Sequence, residues 1–189
     1  MTDPSPPAAH PLSYQVIEIL KARQLRGPVI EVAAGSGRNT RALQAAGLNV
    51  VATSDDDPYT QLPGNRGEYV AALSTHGYLH GAVAKLRAGL AELRRVLADG
   101  AAIAITLGSI TDARFGFGEQ LDDNTFAPGD GEEIGIPHAY FDRDGVSELM
   151  RGLFTIASLE EMDVDDIVSR DTHSEPAGMR HWFVLARKA

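Results

Sequence analysis

The stretch that decides the fold runs Val29-Ile-Glu-Val-Ala-Ala-Gly-Ser-Gly-Arg-Asn-Thr40. Its first residues form a short apolar run, which is typical of a buried strand, and Gly35-Ser-Gly37 follows at once. Glycines allow a tight turn and a close approach of the backbone to a ligand, while the first N–H groups of the next helix can bind an anion. The stretch therefore predicts a strand, a turn able to bind a ligand, and a helix over 38–46. The same kind of turn also has purely structural uses, so the rest of the chain must support the interpretation.

Strands and helices alternate along the remainder of the chain. An amphipathic helix capped by Ser13 stops at Gly27-Pro28, and apolar residues at three- and four-residue steps predict a second helix over 83–98, ended by Asp99-Gly100. A further helix is expected over 142–151. The predicted strands cover 28–33, 48–53, 69–73, 101–107, 153–160 and 181–187. This alternation predicts an α/β protein with a single Rossmann-like, doubly wound, mostly parallel sheet and an antiparallel C-terminal strand.

The composition is that of one soluble globular domain, with 189 residues of which 43% are hydrophobic and 23% charged. Residues 1–11 contain four prolines and no periodicity, so we expect a disordered tail followed by one domain over 12–189. The absence of cysteine excludes disulfides, thiolate metal sites and cysteine nucleophiles. The sequence has neither a membrane-spanning apolar run nor a signal peptide, and we expect a cytoplasmic protein without a membrane partner.

Charge is distributed unevenly. The net charge of −9 argues against a nucleic-acid partner, which would normally meet a basic stripe. Residues 112–175 carry 17 acidic and 4 basic side chains, so this part is acidic and the remainder is basic. The excess is explained either by a solvated face, in which Asp122-Asp123 and Glu132-Glu133 contact water, or by an acidic entrance that attracts a cationic substrate.

Residues 108–140 interrupt the alternating pattern. They are rich in glycine, aspartate and proline, and a structureless stretch of this length within a domain is more often a functional lid than an idle loop. Phe115 and Phe117, in the run Phe-Gly-Phe-Gly at 115–118, suit a mobile aromatic lid; the alternative is a loop anchored by two buried rings. Trp182, in the last predicted strand, is expected in the core.

Two adenosine-containing cofactors suit a turn like that at 35–37. A dinucleotide fingerprint requires a third glycine, and Thr40 stands at that position. Asp55 satisfies the requirement for an acidic residue some way downstream, so a nicotinamide enzyme remains an alternative. Glu31, however, has no place in that fingerprint and would repel a pyrophosphate.

The segment EVAAGSGRNTRALQAAGLNVVATSDD resembles the first motif of the class I S-adenosylmethionine-dependent methyltransferases, in which an acidic residue precedes a glycine-rich turn and a second strand ends in an acid. The resemblance continues through STHGYLH at 74–80, the helix over 83–98 and the strand AAIAITLGS, and it covers most of 28–110. It implies a Rossmann-like methyltransferase domain that uses S-adenosylmethionine to methylate a small-molecule acceptor.

The resemblance also implies which residues hold the cofactor. Glu31 would receive the methionyl ammonium, and either Ser54 or Asp55 would bind the ribose hydroxyls. Residues after the third strand would lie near the departing methyl group. The complete set of implied cofactor contacts is Glu31, Ala33, Gly35, Ser36, Gly37, Asn39, Ser54, Asp55, Ser74 and Thr75.

Methyl transfer needs a general base only if the acceptor atom carries a proton, because much of the catalysis comes from proximity and orientation. His76 and His80 follow the strand that ends at the site and are the candidate bases, with hydrogen-bonded structural roles, or a helix cap for His80, as the alternatives. Tyr78, Phe117 and His138 are candidate substrate contacts. The two candidate bases lack a third ligand, so no metal site is predicted.

One unit of the family pattern is missing. The family usually has a helix and an edge strand between the second and third strands found here, and residues 56–68 are too few for both. Adenine must then meet Asp56, Asp57 or Gln61 with Leu62 as an apolar cover, or be bound weakly. The alternative function is a methyltransferase-like fold that has lost cofactor binding and acts as an interaction protein. The exposed edge strand would favour a homodimer.

Overall fold

The computed structural model describes residues 8–54, 61–131, 133–165, 167 and 178–189. The helices are α1 (Pro11–Ala22), α2 (Arg38–Ala45), α3 (Val83–Val96) and α4 (Arg143–Met150). The strands are β1 (Val29–Glu31), β2 (Val50–Ala52), β3 (Tyr69–Ser74), β4 (Leu97–Ser109), β5 (Glu119–Asp122), β6 (Thr125–Ala127), β7 (His138–Phe141), β8 (Phe154–Asp163) and β9 (Arg180–Lys188). A single 3-10 turn, Gly77–Leu79, precedes α3. Within these ranges, no helix is long and apolar enough to cross a membrane.

The sheet has the predicted architecture. Strands β2, β1, β3 and β4 lie side by side and parallel. On the far side of β4, β9 pairs antiparallel, and β8 pairs antiparallel with β9. The prediction of an α/β fold with a mostly parallel sheet and an antiparallel C-terminal strand is confirmed.

Alternation along the strands distributes the core over both faces of the sheet. Ile30, Ala72 and Ile103 pack with the apolar side of α3 and with residues of α4. Their chain neighbours point the other way, where Val29 and Ala71 pack with apolar residues of α1 and α2. Because successive strand residues face opposite sides, one short apolar run per strand supplies both cores. The sheet is doubly wound for this reason.

Strand β2 forms one edge of the described sheet. In the part of the chain that the structure describes, β2 pairs only with β1, and residues 61–68 form no strand, as expected from their number. Leu62, expected as a cover for adenine, is instead buried in the core beneath α3. Its N–H donates to Glu92 Oε1 (3.0 Å), and its carbonyl oxygen accepts from Arg95 Nη2 (3.1 Å). Asp56 and Asp57 lie outside the described residues.

The segment 108–140 is not the structureless lid that its composition predicts. It contains the β5–β6 hairpin and strand β7, which pairs antiparallel with β6 and parallel with the end of β4. Strand β9 pairs with one edge of β4 as far as Gly108. On the other edge β3 pairs with β4 up to Ile105, and β7 takes its place from Gly108 onward. The segment therefore stands directly beyond the carboxyl end of β3.

Two boundaries differ from the prediction. His10, and not Ser13, caps α1, because its Nδ1 accepts from Leu12 N–H at 3.2 Å and Pro11 occupies the first turn, where a missing N–H costs nothing. His10 is 1% exposed, so the folded domain begins before residue 12, whereas residues 1–7 lie outside the described part. Strand β4 begins at Leu97, directly after α3, so Asp99-Gly100 lies within the irregular start of that strand.

The hairpin offers a matched test of its packing. Gly116 and Gly118 both have positive φ (85° and 89°), but a Cβ at Gly118 would collide with the backbone of Ala127, whereas a Cβ at Gly116 would meet no atom within 4 Å. Both Gly116→Ala and Gly118→Ala incur left-handed strain of about 1–2 kcal/mol. We expect Gly118→Ala to lower the free energy of unfolding by about 1–3 kcal/mol more than Gly116→Ala does, because only the Cβ at position 118 overpacks its surroundings. Urea unfolding of the two variants measures the difference, and equal stabilities would contradict the hairpin geometry.

Candidate active site

Three strands deliver their carboxyl ends to one edge of the sheet. Thr53, just after β2, donates its backbone N–H to Glu31 O (2.9 Å), accepts from Ala33 N–H at its side-chain oxygen (2.9 Å) and accepts from Ala34 N–H at its carbonyl (3.0 Å). On the other side, Val32 N–H donates to Leu73 O (2.9 Å). The turn after β1 is thereby fixed between the ends of β2 and β3, where open α/β sheets bind ligands.

The turn itself has a left-handed backbone at three positions. Ala33, Gly35 and Gly37 have φ values of 55°, 51° and 70°. Gly37 is the N-cap of α2 and no side chain caps this helix, while Gly35 and Ser36 are exposed. The first turn of α2 therefore presents backbone N–H groups beside an exposed loop, as the glycine pattern predicts.

Glu31 lies beneath this turn and is 1% exposed. Asn39 Nδ2 donates to its Oε1 at 3.1 Å, and the Thr40 hydroxyl donates to its Oε2. Burial raises the pKa of Glu31, although the hydrogen bonds from Thr40 and Asn39 act in the opposite direction. Its carboxylate thus supports the first turn of α2 from below, and its role as the partner of an ammonium group stays a prediction.

Asn39 connects the turn to two further segments. Its Nδ2 also donates to Thr75 Oγ1 (2.9 Å), and its Oδ1 accepts from His10 N–H (2.8 Å) and Ser13 Oγ (3.0 Å). The residue is 2% exposed. Asn39, predicted as a cofactor contact, is engaged by its own chain, and sequence reasoning missed the link to the N-terminal segment because the two are separated by nearly thirty residues.

The end of β3 brings a buried hydroxyl to the same place. Ser74 is fully buried, and its Oγ has no hydrogen-bond partner among the described residues. A Cβ on Gly77 would approach Ser74 Oγ at 2.6 Å and Ala33 Cβ at 2.7 Å, so only glycine lets the two strand ends meet this closely. In the sequence, the feature that could have indicated Gly77 is its position directly after Ser-Thr-His, at the end of the third strand. Of the remaining predicted contacts, Ser54 is exposed after β2 and Asp55 lies outside the described residues.

Five of the six histidines gather at this edge of the sheet. The rings of His10 and His181 flank His76, with centroids 6.3 and 5.6 Å from its own. Burial lowers the pKa of His10 and of His76 to about 3 and that of His181 well below its usual value. All three are neutral at pH 7. A proton acceptor with a pKa near 3 is a poor general base at that pH, so this geometry does not favour the predicted catalytic role of His76.

The candidate substrate contacts lie in different environments, because Tyr78 and His138 are buried whereas Phe117 is exposed. Tyr78 is fully buried in the core beneath α3, with its hydroxyl 3.5 Å from Gly89 O, so this geometry does not favour its predicted contact with substrate. Phe117 is 67% exposed. Phe115 packs edge-on against Phe126 and Tyr140 at ring distances of 5.2 and 5.6 Å. The Phe115 ring therefore anchors the segment 108–140, whereas the Phe117 ring is exposed.

A second group joins His80 and His138 through Glu133. His80 Nε2 is 3.2 Å from Glu133 Oε1, and His138 Nε2 is 2.9 Å from Glu133 Oε2. The hydrogen bond with His138, and after it the one with His80, holds the pKa of Glu133 well below its usual range. Two expectations are thereby corrected: Glu133 is not simply solvated, and His80 does not cap α3, which has Ala82 at its N-cap. Glu132 lies outside the described residues.

Solved structures share this architecture. The Burkholderia thailandensis 1,6-didemethyltoxoflavin-N1-methyltransferase, solved with 1,6-didemethyltoxoflavin and S-adenosylhomocysteine bound, is 18% identical, with a TM-score of 0.66 over 95% of this chain and 79% of its own. Geranyl diphosphate C-methyltransferase from Streptomyces coelicolor A3(2), in complex with Mg²⁺, geranyl diphosphate and S-adenosylhomocysteine, is 12% identical, with a TM-score of 0.59 over 94% and 80%.

A third structure, an S-adenosylmethionine-dependent methyltransferase from Methanosarcina mazei, is 12% identical, with a TM-score of 0.57 over 89% of this chain and 96% of its own. No protein-family model and no curated protein sequence matches the chain. At these identities the similarity shows the fold: the chain has the Rossmann-like fold of the class I S-adenosylmethionine-dependent methyltransferases.

The buried histidines make stability depend on pH in a defined direction. The pKa of His10 and of His76 is about 3 in the folded chain and about 6.5 when unfolded, so below pH 6.5 the unfolded state binds protons that the folded state does not. The contribution of these histidines to the free energy of unfolding is fully present above pH 6.5. It is lost as the pH drops towards 3, by about 1.4 kcal/mol per pH unit for each such histidine.

His10→Asn isolates one of these groups, because asparagine keeps an acceptor at the N-cap but does not titrate. The variant loses ring packing on Phe183 and is less stable at pH 7.5, but its unfolding free energy should fall less steeply between pH 6 and 4.5. Urea unfolding at several pH values measures the slope. Parallel curves for the variant and the parent would show that His10 is not a buried neutral group.

Proposed function

We propose that this protein transfers a methyl group from S-adenosylmethionine to a small-molecule acceptor. The observation that carries the proposal is the turn after β1, in which a left-handed backbone, an uncapped helix N-terminus and a buried carboxylate stand together at the carboxyl end of the sheet. Structures with the same fold, among them the Burkholderia and Streptomyces enzymes, bind S-adenosylhomocysteine.

The described residues fit the cofactor at three points. Gly35 and Ser36 are exposed, so methionyl and ribose groups can approach the turn, and Ser54 lies at the end of β2, within the same edge. The hydroxyl of Ser74 is buried without a hydrogen-bond partner in the described chain, beside Ala33 in the turn, and so has a free donor to offer. Glu31 supplies negative charge from below, which favours a ligand with an ammonium group.

When bound, the cofactor would supply a methyl carbon activated by its sulfonium charge, and the bond from that carbon to sulfur would break as the acceptor atom bonds to the carbon, with S-adenosylhomocysteine as the leaving group. The chain positions the two reactants. The fixed turn binds the cofactor, and the segment from β5 to β7 lies over the end of β3, where it can enclose the acceptor. Enclosure beside neutral histidines gives a site with little free water, in which orientation accounts for most of the rate. No general base is assigned to His76, because its pKa of about 3 suits hydrogen bonding better than proton removal.

The aromatic side chains of the segment 108–140 favour an apolar acceptor that contains a ring. Phe115, Phe126 and Tyr140 form an aromatic group, and Phe117 projects beside it with most of its surface free. Flat rings stack on such surfaces. The Burkholderia enzyme holds 1,6-didemethyltoxoflavin, an acceptor of small size, in a domain of the same fold.

Calorimetric titration with S-adenosylhomocysteine tests the proposal. We expect the parent protein to bind one equivalent, and Glu31→Gln to bind at least about tenfold more weakly, which corresponds to about 1.4 kcal/mol. Glutamine is a suitable replacement because its oxygen can still accept from Asn39 while its amide donates to Thr40, so the turn keeps its support.

The matched control is Glu148→Gln, the same chemical change at an exposed position of α4 that pairs only with Arg151 nearby. It should bind as the parent does. Failure of the parent protein to bind S-adenosylhomocysteine would remove the proposed function. Unchanged binding by a folded Glu31→Gln variant would instead remove only the electrostatic role of Glu31.

A further inference from the structure

The cluster of His80, Glu133 and His138 has no part in the methyl transfer described above. We propose that these three side chains bind a divalent transition-metal ion. The proposal concerns binding of the ion itself and does not depend on the proposed function.

The donor atoms lie close to the spacing that a common ion requires. One ligand atom from each residue lies within 4.8 Å of the others, and the two histidine–carboxylate distances are 3.2 and 2.9 Å. Ligands at about 2.1 Å from a metal are separated by about 3.0–3.4 Å in octahedral or tetrahedral geometry. Two imidazoles and one carboxylate form a set that Zn²⁺, Fe²⁺ and Co²⁺ accept, and three protein ligands leave positions open for water or another oxygen ligand.

The hydrogen bonding of His138 gives an independent reason. Its Nδ1 lies 2.8 Å from Ile136 O, and because a carbonyl oxygen only accepts, Nδ1 must carry the proton. In the neutral ring Nε2 then presents a lone pair. This atom is buried without a hydrogen-bond partner in the described chain, yet it lies 2.9 Å from a Glu133 oxygen, which is also electron-rich.

A proton or a cation must lie between these two electron-rich atoms, and a metal ion bound by both can take that position. A histidine that ligates a metal usually donates its other ring N–H to a backbone carbonyl or carboxylate, which fixes its tautomer and orientation. His138 already makes that second contact through Ile136. Its side chain is only 4% exposed, so water does not readily take the place of the ion.

The backbone holds the two histidines in place before any ion binds. His80 and His138 face each other in an isolated antiparallel bridge, and Gly81 N–H donates to Pro137 O at 2.7 Å. Their rings cross at 79° with centroids 4.8 Å apart. Glu133 is tied to the segment just before β7, because Ile136 N–H donates to its carbonyl oxygen (3.0 Å).

The charges around the cluster are compatible with a cation. Arg114 Nη1 is 3.8 Å from Glu133 Oε2 and opposes a positive ion there. However, Arg114 Nε also pairs with the buried Asp112 at 3.2 Å, so its charge is balanced by a second carboxylate. The two carboxylates of Glu133 and Asp112 outweigh the single charge of Arg114, which leaves a net negative site for the ion.

Titration with Co²⁺ and Zn²⁺ tests the proposal on the full chain after treatment with a chelator. We expect one Co²⁺ per chain, with a visible absorption band that one equivalent of Zn²⁺ displaces. Glu133→Gln and His138→Asn should each weaken binding at least tenfold. Glu133 is half-buried, so its variant should fold even if His138→Asn does not, and a thermal melt verifies this for both.

His10→Asn is the matched control, since it removes a histidine from the neighbouring group of rings and leaves the three ligands intact. Its Co²⁺ affinity should equal that of the parent. Absence of binding by the parent would overturn the proposal and leave a histidine–carboxylate network without an ion. Binding that survives folded Glu133→Gln, or that is lost in His10→Asn, would overturn the assignment of the ligands.

Discussion

The buried carboxamide of Asn39 is the interaction on which the site depends. Through its two atoms it connects the end of β1 at Glu31, the end of β3 at Thr75 and the start of α1 at His10 and Ser13. Each partner is a polar group that would be costly to bury alone. One side chain therefore satisfies several such groups and, in doing so, fixes where the glycine turn lies relative to the rest of the sheet.

The regular part of the fold could be predicted from local patterns because each element buries its own apolar periodicity. The apolar residues over 83–98 and the short runs at 29–33 and 69–73 are signals of that kind, and the predicted elements match α3, β1 and β3 within a few residues. The glycine turn was predictable for a related reason, since the left-handed backbone at Gly35 and Gly37 is a local requirement.

What could not be predicted depends on contacts between distant residues. The strands in 108–140 are short, and β5 is exposed along its whole length, so it carries no alternation to read. Tyr78 looks like a residue beside a site, but the 3-10 turn directs its ring beneath α3. Glu133 meets His80 across more than fifty residues, and nothing in the surrounding loop sequence distinguishes it from a solvated acid.

The place of β7 in the sheet has a consequence for how this domain can change. Because β7 uses the edge of β4 that β3 leaves free, and Asn124 O accepts from Tyr140 N–H of β7 at 2.8 Å, the hairpin is fixed to the central sheet, while Phe117 just before it is 67% exposed. Mutations at exposed Phe117 can change this surface at little cost in stability. The domain thus separates a part under strong structural constraint from a part open to evolutionary drift, and the second part can change without loss of the first.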